Sequence, residues 1–107
     1  MAYPVAAAVR QHFENATTAT IDLSGLGIVA GDLVVIPLSQ DGGGTAISES
    51  TAYGWTVRNP SSVTGDARMA VAYKYSSGSE SDPTFTGTAS EAWSTLPIII
   101  KDADPTS

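Results

Sequence analysis

The chain has 107 residues, 42% of them apolar and 15% charged, and eleven acidic against five basic residues give a formal charge of −6. That length suffices for one hydrophobic core but not two, and the composition is too apolar and too weakly charged for a disordered chain. The bases Arg10, Arg58, Arg68, Lys74 and Lys101 stand singly, so neither nucleic acid nor an anionic membrane is an expected partner.

Cysteine is absent and His12 is the sole histidine, which removes thiolate chemistry and leaves no ligand set for structural zinc. No cofactor is expected. No stretch approaches the ~18 apolar residues of a membrane helix, and Met1–Pro4 lacks the basic and apolar regions of a secretory signal. Twenty-five Ser and Thr, ten Gly and six Pro fit short strands joined by tight turns.

In chain order, residues 4–14 alternate with period two and predict an opening strand, with Val5, Ala7, Val9 and Phe13 on one face. Asn15-Ala16 reads as a turn into a second strand over 17–23, where Ala19, Ile21 and Leu23 share a face. A loop over 24–32 leads into DLVVIPLSQ (32–40), apolar on both faces and so predicted as a central strand buried on two sides. Pro37 within it implies a bulge or an unpaired position. Residues 41–54 form a long Gly-rich loop, and Trp55-Thr56-Val57 restarts a strand that NPSSVTGD (59–66) ends.

Residues 67–76 give the cleanest alternation: Met69, Val71, Tyr73 and Tyr75 on one face, expected to be core, and Ala70, Ala72 and Lys74 on the other. A short strand at 83–86, a turn at GTASE and a last strand at 92–101, with Pro97 at an edge or bulge, complete the pattern. Seven or eight short strands, with turn signals about every ten residues and no helix, predict an all-β fold: a single antiparallel β-sandwich, jelly-roll or immunoglobulin-like. One domain is expected over 1–104, with a frayed tail at 105–107.

Few residues invite chemistry. His12 reads as an ordinary strand residue. Glu80 with Asp82 and Asp102 with Asp104 have a spacing compatible with calcium but lack the ligand ladder of a dedicated loop, and read as solvated acids. Gly42-Gly43-Gly44 lacks the Lys-Ser/Thr and following helix of a phosphate loop. No two carboxylates are paired as a glycosidase requires. The remaining signal is aromatic: Tyr53 and Trp55 flank Gly54 at the end of the long loop, where flat apolar faces suit a sugar or a partner protein. With Asp41 and Thr45 from the same loop, they are the candidate binding residues, although core packing is the stronger reading for Trp55. Trp93, entering an apolar strand, reads as buried.

Four segments in order, GDLVVIPLSQDG (31–42), YGWTV (53–57), ARMAVAYKYSSGSESDPTFT (67–86) and AWSTLPIIIKDAD (92–104), resemble a β-sandwich module of tailed-phage and prophage virion proteins. The resemblance covers most of 20–104. It departs where Ile100-Lys101-Asp102-Ala103 replaces an aromatic-Arg-Gly-Val turn, and where that module continues into further strands, which a partner chain would then supply. It implies a non-enzymatic structural protein of the virion, a capsid decoration, head-fibre or tail-associated module assembled in the bacterial cytoplasm. Major capsid or tail proteins are then the expected partners, and a homo-oligomer, a trimer being one form, the expected state. The alternative is a carbohydrate-binding or adhesion module using Tyr53 and Trp55, and a host glycan is compatible with either reading.

Overall fold

The computed structural model describes residues 3–6, 10–41, 46–59 and 67–103. The expected turn over most of 59–66, the glycine run, Thr45 and the tail from Asp104 onward lie outside the described residues. Eight strands form: β1 (Tyr3–Ala6), β2 (Gln11–Thr20), β3 (Leu33–Asp41), β4 (Ser48–Glu49), β5 (Thr56–Arg58), β6 (Ala67–Tyr75), β7 (Thr84–Thr95) and β8 (Ile98–Lys101). All pairings are antiparallel and no helix occurs among the described residues. The expected all-β antiparallel class holds, as one sheet curled nearly into a barrel.

The strand β3 is the hub. Along one side it pairs with β6 over its whole length, from Leu33 opposite Tyr75 to Asp41 opposite Ala67. Along the other side Leu33–Val35 pair with β8 and Leu38–Gln40 with β7. The gap between those ladders falls at Ile36 and Pro37, so the proline without an N–H occupies the locally unpaired position its chemistry requires. The hydroxyl of Thr95 donates to the Pro37 carbonyl there. Pro97 marks the matching break between β7 and β8 and is fully buried.

Side chains facing inward build the core: Ala19, Ile21, Val34, Ile36, Leu38, Ile47, Trp55, Phe85, Trp93 and Ile99 among them. Ala19, Ile21 and Leu23 share the buried side as expected. Trp93 is buried, as the sequence implies, and its indole N–H donates to the Ala16 carbonyl at 2.6 Å.

The expected strands over 4–14 and 92–101 are each divided: Tyr3–Ala6 pair with β8 whereas Gln11 onward pair with β7, and β7 ends at Thr95 before β8 begins at Ile98. Three further expectations are overturned. Asn15-Ala16 is no turn: β2 runs through it, with Asn15 at φ 49° and register shifts on either side, the signature of a bulge. Nor does GTASE reverse the chain. The strand β7 is continuous from Thr84 to Thr95, and the turn-forming residues there make a wide bulge between Thr86 opposite Thr18 and Glu91 opposite Ala16. The Ser90 hydroxyl donates to the Asn15 carbonyl at 2.8 Å, tying the two irregularities together.

The third correction concerns β6. Met69, Val71 and Tyr75 point outward, while Ala70 and Ala72 are buried. The reason is volume: Ala70 lies opposite Leu38 and Ala72 opposite Ile36, and the narrow interior already holds two tryptophans and a phenylalanine. Small residues beside large ones fill such an interior; a second row of large side chains would overfill it.

Candidate interaction surface

Residues directly opposite in antiparallel strands share a face, so the register defines what lies outside. Arg58, Val71 and Pro37 form one row across β5, β6 and β3. Thr56, Tyr73, Val35 and Ile98 form the next, and Tyr75, Leu33 and Ile100 a third. Met69 stands opposite Ser39, which is in turn opposite Ser94. Met69 is 64% exposed, Tyr75 49% and Val71 41%, and the apolar neighbours on β3 and β8 are half-buried. A contiguous apolar face of this kind on a small domain marks an interaction surface. Sequence reasoning missed it by placing β6's large side chains in the core. The expected two-sided burial of DLVVIPLSQ fails for the same reason: Val34, Ile36 and Leu38 are buried, but Leu33, Val35 and Pro37 on its outer face are only half-buried, with no helix among the described residues to cover them.

The 46–59 segment bounds this region and is held by half-buried polar groups. The Glu49 carboxylate accepts the backbone N–H of Tyr53 at 2.7 Å, that of Trp55 at 3.1 Å and the Thr51 hydroxyl. Burial pushes the Glu49 carboxyl up, but those donors and the Lys74 charge outweigh it and hold it below the ordinary value. The Lys74 ammonium donates to the Tyr53 carbonyl at 2.7 Å and to Glu80 at 2.8 Å. The Asn59 amide donates to the Ile47 carbonyl and accepts the Ile47 N–H, both at 3.0 Å. That exchange copies a backbone strand pair and joins β5 to the start of β4, narrowing the opening in the curled sheet.

Of the candidate residues, Tyr53 is 44% exposed, whereas Trp55 is 8% exposed and meets Phe85 edge-on with ring centroids 6.4 Å apart. The two rings adjoin in sequence yet do not make one exposed platform. Asp41 is exposed at the end of β3, and Thr45 lies outside the described residues.

Of the acids expected to be solvated, Asp82 and Asp102 are exposed, whereas Glu80 is not. The Glu80 side chain is 3% exposed, paired to Lys74 and accepting the Ser76 hydroxyl at 2.7 Å. Asp82 accepts the Leu23 N–H at 2.9 Å. His12 is an exposed strand residue 3.4 Å from Glu14.

No family model, no curated protein and no solved structure matches the chain.

Proposed function

We propose that this chain is a non-enzymatic structural protein of a tailed-phage particle, a capsid decoration, head-fibre or tail-associated module that acts by protein–protein contact. The outer face around Met69 and Tyr75 carries this reading, because it is contiguous, apolar and built on regular paired strands rather than on a pocket. The resemblance of four ordered segments to virion modules supports the particle as the setting. Capsid or tail proteins are the partners proposed for the assembled state.

The test mixes the purified chain with particles lacking it and follows co-sedimentation. Binding is expected, and Met69→Glu is expected to weaken it at least tenfold, since a charge would replace an apolar contact at the centre of the face. A chain that never binds the particle overturns the proposal.

Tyr53 favours a second reading, a glycan-binding module, because its ring is half-exposed beside polar groups. Titration of glycans against intrinsic tryptophan fluorescence tests it. A shift lost in Tyr53→Ala supports glycan binding, and no shift with any glycan removes it.

A further inference from the structure

We propose that the guanidinium of Arg68 is the receptor of a carboxylate-binding site at one end of the core, separate from the outer face of β6. Its side chain lies on the inner face of that strand, in line with the buried Ala70 and Ala72, and the residue is only 4% exposed. The Nε–H is wholly enclosed without a hydrogen-bond partner, and none of the guanidinium N–H groups bonds to a described residue.

A buried cation without a counter-charge is costly, and proteins ordinarily pair such groups. This chain does so elsewhere. Asp32 meets Lys101, Glu80 meets Lys74, and Glu49 accepts two backbone N–H groups and the Thr51 hydroxyl. A buried lysine escapes the cost by shedding its proton, but a guanidinium stays charged and carries five donors with no acceptor. An anion answers both the donors and the charge.

The neighbours of Arg68 do not supply one. Arg68 stands opposite Gln40, and Gln40 opposite Trp93, in one row across β6, β3 and β7. The Trp93 indole is a donor only and is committed to the Ala16 carbonyl at 2.6 Å. The Gln40 side chain is neutral and lies against Gly87, its oxygen 2.2 Å from the position a Cβ would take there.

Place and shape select a carboxylate. The pair of Arg68 with Gln40 is the last but one of the β3–β6 ladder, which ends at Asp41 opposite Ala67, so the guanidinium belongs to the margin of the core rather than its middle. So little exposure suits a narrow planar group better than a tetrahedral one, and the flat fork of a guanidinium matches the two oxygens of a carboxylate. A free organic acid and an acidic side chain of another protein offer the same chemistry.

Titration of the folded chain with sodium acetate tests the site, followed by heteronuclear NMR of the arginine Nε–H groups, with sodium chloride at equal ionic strength as the reference. The Arg68 Nε–H, identified by its loss in Arg68→Lys, is expected to shift saturably in acetate and not in chloride, while those of Arg10 and Arg58 stay in place. The net charge of −6 keeps anions from gathering on the chain without a site. At ten times the dissociation constant the folded-to-unfolded ratio rises about tenfold, read as a higher urea midpoint. Arg68→Met, which keeps the aliphatic stem, is expected to lose that rise.

N-acetyl-aspartate amide, which carries the carboxylate on a peptide unit, separates the two sources. Tighter binding than acetate assigns the site to a protein side chain, and weaker binding to a free acid. An Arg68 Nε–H unmoved by both probes overturns the proposal, and so does a stronger response to sodium sulfate than to acetate. A shift of that resonance in Asp66→Asn without any probe also overturns it, because the counter-ion is then the chain's own.

Discussion

At Gly87 a side chain is excluded by a neighbour rather than by backbone strain. A Cβ built there would lie 2.2 Å from the Gln40 side-chain oxygen and 2.9 Å from its carbonyl carbon. Gln40 is itself fully buried in the ladder between β6 and β7, so it has little room to retreat. Gly87→Ala is therefore expected to destabilise the fold by about 1–3 kcal/mol, read from the urea midpoint at unchanged slope. An unchanged midpoint would mean that Gln40 repacks freely. The two tryptophans differ in a related way. Trp93 is both packed and hydrogen-bonded to Ala16, whereas the Trp55 indole N–H finds no partner among the described residues and the ring is held by contact with Phe85.

At the scale of elements, the sheet keeps its curl by letting side-chain amides stand in for strands. The Gln11 amide donates to the Asp22 carbonyl and accepts the Asp22 N–H, both at 2.8 Å, just as Asn59 treats Ile47. Each amide satisfies both backbone groups of one residue where no ladder reaches, and unpaired backbone groups next to a core are costly. Asn59→Asp keeps the acceptor for the Ile47 N–H but loses the donor to its carbonyl and sets a carboxylate beside that oxygen. A loss of about 1–3 kcal/mol is expected, together with faster amide exchange at Ile47. Wild-type protection at that amide would show that β4 holds to the sheet without the bridge.

Over the whole molecule, one buried carboxylate clasps the end of the described chain to its middle. The Asp32 carboxylate accepts the Val29 N–H at 3.0 Å, the Asp102 N–H at 3.2 Å and the Lys101 ammonium, while the Ala103 N–H reaches the Gly31 carbonyl at 2.9 Å. Burial raises the Asp32 carboxyl, but Lys101 and the two N–H groups prevail and hold it below its ordinary value of 3.8. Glu49 is likewise held below 4.5. A depressed carboxyl pKa stabilises the fold fully above the unfolded-state value, and that contribution disappears as pH falls through the folded-state value. Stability is thus expected to be flat from neutral pH down to about pH 5 and to fall steadily below pH 4. Urea titrations across that range check it. Lys101→Met should flatten the acid slope while lowering stability at pH 7, and an unchanged slope would remove Asp32 from the account.

Local chemistry by itself determined the class and most of the strands: period-two alternation marks β2 and β6, a run apolar on both faces marks β3, and Pro37 names its own unpaired position because a missing N–H is a property of the residue. It also determined that Trp93 is buried. What only the tertiary structure decided is which side of each strand faces in. The alternation on β6 is the same whichever face is buried, and the choice falls to the space left by Trp93, Phe85 and Ile36, which are distant in sequence. The same holds for GTASE and Asn15, whose turn-forming residues serve equally for a bulge once a partner strand runs alongside. Of the candidate site, Tyr53 and Asp41 were legible as polar loop positions, but the face around Met69 was not, because its exposure follows from volumes packed on the opposite side of the sheet.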